Sequence, residues 1–308
     1  MKKYLVLGGS GFIGGYLVKE LAKSNYVLVA DVIPKQDAQY GPNVEYQYLN
    51  FVETQDFSSY LQGVDTVVHL VSTVFPEDGT ANINKEIEKN IFPTINLLED
   101  MVKAEVKKII FISSGGTVYG EKNRLPIRES DDQLPVCKYG VYKLIIEKLL
   151  HLYKRYHNLE YRVVRLSNPY SEKVRKGRLQ GIIPIFIHKI LRRETITVWG
   201  DGNNVRDYIY IQDAINAILA VNNYVGEENI FNIGSGVGYS ICNIIDLIVK
   251  ILNCEYPKVV YEKKRTCDVR QNILDVSLIK KCTGWEAKTD VETGIGKCIS
   301  ALLEVKSN

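Results

Sequence analysis

Short apolar runs and longer amphipathic stretches alternate through the first half of this chain. The runs Tyr4–Leu7, Tyr26–Ala30, Thr66–Leu70, Ile109–Ile112 and Arg162–Arg165 are brief and rich in β-formers, which predicts strands, and the stretches 12–23, 84–105 and 139–157 between them predict helices. Such alternation implies a parallel sheet covered by helices on both faces. The expected fold class is therefore α/β with a doubly wound parallel sheet. After Asn168-Pro169 the rhythm changes to a polar loop (171–180), a helix over IIPIFIHKILRR (182–193), a strand-like ITVWG (196–200) and further mixed segments. This predicts a smaller, mixed α/β C-terminal lobe. The expected division is 1–167 and 168–308, with some segments crossing back.

Composition narrows the partners without choosing among them. Of 308 residues, 45% are hydrophobic and 24% charged, an ordinary globular balance. Lys plus Arg number 39 against 36 for Asp plus Glu, a net charge of +3 with no basic tract, so nothing points to nucleic acid. The N-terminal apolar run breaks after four residues and no run elsewhere reaches the ~18 of a membrane span, so a cytoplasmic protein without a membrane span is expected. Cysteines 137, 242, 254, 267, 282 and 298 are scattered without CxxC, and the four histidines lie far apart, so no metal site is expected.

Candidate chemistry begins with Gly8, Gly11 and Gly14, a GxxGxxG placed directly after the strand YLVL and directly before a helix that opens with Phe12 and Ile13. Glycine lets a turn take positive φ and lets backbone approach a pyrophosphate, whose charge the helix N-terminus meets. Asp31 closes the second strand, 23 residues after Gly8. A carboxylate there accepts from both ribose hydroxyls and repels a 2′-phosphate, which favours NAD over NADP in a Rossmann-type domain.

Tyr139 and Lys143 stand four residues apart in PVCKYGVYK, so on a helix they share a face. A free phenol titrates near pH ~10 and becomes a base near neutrality only if cations stabilise its anion, a change of about 4 kcal/mol. Lys143 and an oxidised nicotinamide ring are both able to supply that charge. FISSGGTVYG (111–120) follows the fourth strand at the sheet edge where ligands bind, so the hydroxyls of Ser113, Ser114 and Thr117 are candidates to hold a substrate oxygen.

With GGSGFIGG, SSGGTVYG, YGVYK, RLSNPY (165–170) and VRDYIYIQD (205–213) in this order, the chain resembles the extended short-chain dehydrogenase/reductase family, and within it the nucleotide-sugar 4-epimerases. The resemblance runs from the first strand to about Trp285. It implies Tyr139 as general base and Lys143 as the group that lowers its pKa and binds the nicotinamide ribose. It also implies Asn50 near the adenine, Leu70 and Val71 beside the pyrophosphate, and Asn90 on the nicotinamide side. On the substrate, it implies Asn168 at a phosphate, Arg206 and Arg265 clamping the diphosphate, Asp268 at the ribose, and the strand holding Thr197 and Trp199 facing the base. Arg270 is a rival to Arg265. Arginine suits the clamp because its planar fork binds phosphate oxygens in pairs and stays charged.

Two positions depart from the family's pattern. Gly115 stands where relatives carry the catalytic Ser or Thr, which leaves Thr117 or Ser114 to supply that hydroxyl. Tyr142 stands where relatives commonly have Ser. Dehydratases of the family place Asp-Glu before VYG, and Gly116 and Thr117 occupy those places here, which disfavours dehydration. The expected activity is inversion of carbon 4 of a nucleotide-diphosphate sugar through a 4-keto intermediate, with bound NAD and a homodimer. The alternatives are a nucleotide-4-keto-sugar reductase and, less favoured, a 4,6-dehydratase or a non-catalytic NAD sensor. The loop 121–135 and the neighbourhood of Asn272 are expected to wall the sugar pocket.

Overall fold

The computed structural model describes residues 1–33, 41–74, 82–172 and 181–306, and most of the polar loop expected at 171–180 lies outside them. In chain order the elements are β1 (Lys3–Leu7), α1 (Phe12–Leu21), β2 (Tyr26–Asp31), β3 (Val44–Tyr48), α2 (Ser58–Leu61), β4 (Thr66–His69), α3 (Ile83–Asn90), α4 (Phe92–Lys103), β5 (Lys108–Ser114), α5 (Lys138–His157), β6 (Glu160–Leu166) and β7 (Asn168–Tyr170). They continue as α6 (Ile182–Leu191), β8 (Ile196–Trp199), β9 (Val205–Tyr210), α7 (Ile211–Asn223), β10 (Ile230–Ile233), β11 (Gly238–Ser240), α8 (Ile241–Leu252), β12 (Val259–Glu262), β13 (Gln271–Asn272), α9 (Ser277–Thr283) and α10 (Val291–Lys306).

Seven strands form one sheet in the order β10-β6-β5-β4-β1-β2-β3, with β1 pairing in parallel to both β2 and β4. This is the doubly wound Rossmann topology. Its core strands read as unbroken apolar runs because helices cover them: Leu5, Leu7, Val67, Ile109, Phe111 and Val163 are buried together with Leu97, Leu98 and Met101 of α4 and Ile146 and Leu150 of α5. Five strands lie where the sequence pattern predicts them, each within two residues. The stretch 84–105 differs, because it is two helices that meet at Ile91. Pro93 in the first turn of α4 has no N–H to bond the preceding turn, so the helix restarts there.

By internal contacts the chain forms two compact units: Met1–Val118 with Cys137–Arg165 and Val221–Phe231, and Tyr119–Val136 with Leu166–Ala220 and Asn232–Asn308. The segment 221–231 belongs to the first unit because it leads into β10 at the sheet edge, and Asn222 donates to the Tyr4 hydroxyl at 2.9 Å. The segment 119–136 belongs to the second, where Ile127 bridges Leu274 and the Tyr119 hydroxyl donates to Asn232 Oδ1 at 2.6 Å. The second unit holds a sheet in which β9 pairs with β7, β11 and β13, and a separate parallel pair of β8 and β12.

Candidate active site

In the first unit the strand order reverses at β1, so the carboxyl ends of β1 and β4 open the crevice where doubly wound sheets take ligands. The glycine turn occupies it. Gly8 has φ +77°, and a Cβ on it would lie 3.2 Å from Val71 Cγ2 and 3.5 Å from the Leu70 carbonyl carbon, so this turn and the end of β4 are in contact. A Cβ on Gly14 would stand 2.4 Å from Gly8 O and 2.7 Å from Gly9 Cα, so only glycine lets α1 pack on the turn. Gly11 is the N-cap of α1, which leaves the backbone N–H groups of Phe12 and Ile13 at the helix's positive end.

Asp31, buried at the end of β2, accepts from Ser10 N at 2.9 Å and from Ile33 N at 3.0 Å, and so braces the glycine turn. Ser10 Oγ is buried with no hydrogen-bond partner among the described residues. A glycine cradle that a Cβ would fill, an unsatisfied hydroxyl beside it and a carboxylate at the second strand's end fit a dinucleotide pyrophosphate and ribose. Asn50 lies beyond β3, with its carbonyl turned to the N–H groups of Glu53 and Thr54. The buried Asn90 side chain accepts from Thr73 N at 3.0 Å and donates to Thr73 Oγ1 and Glu86 O, which ties α3 to the loop after β4.

Helix α5 buries Tyr142, Ile146, Leu150 and Tyr153 in one stripe, which turns Tyr139, Lys143 and Glu147 onto the adjoining one. Lys143 is buried, donates to Ile112 O at 2.8 Å, and holds its ammonium 4.7 Å from the Phe111 ring centre and 5.5 Å from that of Tyr139. Burial pushes the Tyr139 phenol up and pushes Lys143 down to about 7, the latter partly offset by the Glu147 carboxylate. The Tyr142 hydroxyl instead points to Ile83 O, 3.4 Å away.

Ser113 departs from its expected role. Its hydroxyl is buried and donates to Glu147 Oε1 at 2.5 Å, so it is unavailable to a substrate oxygen. Ser114 is half-buried and accepts through its carbonyl from the N–H groups of Thr117 and Val118, which forms the turn after β5. Thr117 Oγ1 is buried and has no hydrogen-bond partner among the described residues. Gly115 is not among the described glycines with positive φ.

In the second unit, Arg265 stacks on Trp199 with 4.5 Å between guanidinium carbon and ring centre, and its carbonyl accepts from Asp268 N. Arg206 Nη2 lies 3.8 Å from Asp268 Oδ1, so Trp199, Arg265, Asp268 and Arg206 form one neighbourhood. Thr197 lies two residues before Trp199 on the same, less buried face of β8. Asn168 opens β7 and donates to Asp207 O on β9, the strand that carries Arg206. Asp207 is fully buried and accepts from Ser235, Gly236 and Leu274, so the residue between Arg206 and Tyr208 is a structural knot. Arg270 lines a cavity of about 340 Å³ with Lys264, Gly200, Asp201, Asn203 and Asn204. Lys264, Asn203 and Asn204, which the sequence pattern did not single out, line this cavity beside the GDGNN turn between two strands. Asn272 is buried on β13 opposite Arg206.

This fold and the glycine, tyrosine and lysine positions belong to one group of proteins. The model of the NAD dependent epimerase/dehydratase family matches residues 4–234, and the chain belongs to that family. It is an NAD-dependent enzyme of the extended short-chain dehydrogenase/reductase type, as the motif order implies. Among curated proteins it is 33% identical to a dTDP-4-dehydro-6-deoxyglucose reductase of Escherichia coli, over 97% of this chain and 96% of that one. It is 29% identical to a UDP-glucose 4-epimerase of Halalkalibacterium halodurans, over 92% of this chain and 90% of that one. Among solved structures it resembles UDP-glucose 4-epimerase with UDP-glucose from Thermotoga maritima, with TM-score 0.89, 30% identity and 99% of each chain covered. Among the described residues no helix is long and apolar enough to cross a membrane.

Proposed function

We propose that this chain inverts carbon 4 of a nucleotide-diphosphate sugar, most simply a UDP-hexose or UDP-N-acetylhexosamine. The observation that carries this reading is the Tyr139–Lys143 pair, set on one face of α5 with the unsatisfied Thr117 hydroxyl in the turn after β5. Tyr139 takes the proton of the sugar 4-hydroxyl and later returns one to the 4-keto oxygen. Lys143 supplies positive charge beneath the phenol, and Thr117 orients the reacting oxygen. Gly8, Gly11, Phe12, Ile13, Gly14, Asp31, Asn50, Leu70, Val71, Asn90 and Lys143 would hold NAD, which would supply reversible hydride acceptance from carbon 4 without being consumed. Asn168, Arg206 and Arg265 hold the diphosphate, Asp268 the ribose, and Thr197 and Trp199 the base. Gly116 and Thr117, in place of an acid pair, leave no group for elimination of water.

A homodimer through α4 and α5 accompanies this reading, because Phe92, Val141, Leu152 and Tyr156 are exposed apolar side chains on those helices. A 4-keto-sugar reductase is the second reading, favoured by the similarity to the Escherichia coli reductase. Incubating purified protein with UDP-glucose, UDP-galactose, their N-acetyl forms and UDP-glucuronic acid, with 4-epimers resolved, separates the two. Interconversion without added cofactor supports the epimerase. Failure on every sugar, with stoichiometric NADH or NADPH oxidation by a 4-keto sugar, supports the reductase.

A further inference from the structure

Behind the Tyr139–Lys143 pair lies a second polar cluster that the reaction does not use directly. Tyr139, Lys143 and Glu147 follow at i, i+4 and i+8 on α5, so all three share one stripe. Glu147 accepts from Arg165 Nη2 at 2.7 Å, from Arg165 Nε at 3.2 Å and from Ser113 Oγ at 2.5 Å. Both members of the Glu147–Arg165 pair have side chains only 1% exposed. Lys143 holds the carbonyl of Ile112 while Glu147 holds the hydroxyl of Ser113, so two adjacent residues of β5 are gripped by two successive turns of α5.

We infer that Glu147 is a positioning residue for the reaction: its carboxylate, fixed by Arg165 of β6 and Ser113 of β5, keeps the buried Lys143 ammonium charged beneath Tyr139. A buried carboxylate and guanidinium are often replaceable by well-packed apolar residues of similar volume at little cost, so such a pair is weak evidence for a role in stability alone. Here the pair stands one helical turn from a lysine whose charge the chemistry needs. Burial drives Lys143 toward its neutral form, and Glu147 is the group that opposes this.

Other titratable groups lie near this stripe, and Cys137, at the N-cap of α5, acts on Tyr139. On β4, His69 is held neutral by burial, its pKa down to about 3. On β6, Tyr161 is pushed up by burial and by Glu147. On α3, Glu86 pairs with Lys138, and on α4, Glu99 accepts from Tyr153. On β5, Ser113 and Phe111 contribute a hydroxyl and a ring face only. Among these, Glu147 is the carboxylate that raises Lys143.

The inference rests on Lys143 as the cation beside Tyr139, and its test needs no turnover, so an inactive sugar panel and a failed inference are separate results. The charge of Lys143 is followed by NMR of isotope-labelled lysine in the NAD-free protein, with its signal assigned by absence in Lys143→Arg. In Glu147→Gln, which keeps the shape and removes the charge, the Lys143 ionisation constant should rise at least about tenfold, the lower range for loss of a nearby opposite charge. Glu147→Asp, which keeps the charge on a shorter arm, should stay close to wild type. Unchanged titration of Lys143 in folded Glu147→Gln overturns the inference, as does an equal change in Glu147→Asp. If Glu147→Gln does not fold because Arg165 is left unpaired, Glu147→Gln/Arg165→Gln carries no stranded charge. It must show a rise in the same direction, and a Lys143 that holds its proton as well as wild type in the double variant overturns the inference equally.

Discussion

Replacing Thr117 by Val should raise stability and lower activity together, a combination few substitutions produce. The hydroxyl oxygen is buried and makes no hydrogen bond among the described residues, so in the free enzyme it is an unpaid desolvation cost of about 1–3 kcal/mol. Valine keeps the branched shape and removes the polar atom. The variant should therefore be neutral to about 1 kcal/mol more stable, on the order of 2 °C in Tm for a chain of this size. If the hydroxyl positions the sugar 4-oxygen, the rate should fall by roughly 10²-fold, about 2.7 kcal/mol of transition-state stabilisation. Thermal unfolding of apo-protein and kcat on one UDP-sugar measure the two effects. Ser114→Ala serves as the control, because the contacts that define its turn use its carbonyl and not its hydroxyl. A Thr117→Val protein that keeps its rate and loses stability would refute the assignment, since the hydroxyl would then have a structural partner. If Ser114→Ala is the damaging change, Ser114 is the substrate contact. Gly115→Ser meets no positive-φ barrier and should fold, so its activity reports directly whether a hydroxyl at that place adds to the reaction.

Tyr139→Phe should abolish turnover with NAD still bound, because it deletes the proton acceptor and keeps the ring; retention of a tenth of the rate would place the base elsewhere. Tyr142→Phe should be mild for turnover, since its hydroxyl is turned to Ile83 O and Glu86 of α3, and a larger loss than for Tyr139→Phe would overturn the helix-face assignment. Asp31→Ala should weaken NAD by roughly 10- to 100-fold and narrow the preference over NADP, because it removes the ribose acceptor and frees Ser10 N; calorimetric titration of both cofactors into apo-protein checks this. Lys143 has a folded-state pKa of about 7 against an ordinary 10.5, so the unfolded chain binds the extra proton between those values and this group's penalty fades as pH rises through them. Apo Lys143→Met should therefore exceed wild type in stability at pH 7 by a margin that shrinks toward pH 10, and denaturant melts with a constant margin would contradict the buried charge.

What the sequence disclosed depended on how local each cause was. Gly8 and Gly14 were legible because the close approach they permit lies within one strand-turn-helix, and Asp31 because strand and helix lengths fix its distance from them. The break at Ile91 was also written locally, in Pro93, and was passed over because apolar spacing continues through it. By contrast β10 is four residues whose place beside β6 depends on a return of the chain more than sixty residues later, and no periodicity encodes that. Ser113 and Thr117 look alike in SSGGTVYG. They part only when α5 and β6 are layered on β5, which brings Glu147 to Ser113 and leaves the Thr117 hydroxyl without a hydrogen-bond partner among the described residues. The same limit applies to Trp199 and Arg265, whose stacking across 66 positions could be suggested by resemblance but not read from spacing.

Burial acts on Tyr139 and Lys143 in opposite senses, and both act against the charged forms that proton transfer requires. The phenol is pushed up and the ammonium down, so placing the two side by side does not by itself make a base at neutral pH. Contact within the pair helps only if Lys143 arrives protonated, and the Ile112 carbonyl and the Glu147 carboxylate are the groups present that favour this. The phenol then needs further positive charge, which an oxidised nicotinamide would supply and a reduced one would not. In the proposed reaction Tyr139 would accordingly be a better base beside the oxidised cofactor and a better acid beside the reduced one. A 4-epimerase needs both behaviours from one phenol in a single turnover, whereas a reductase needs only the acid.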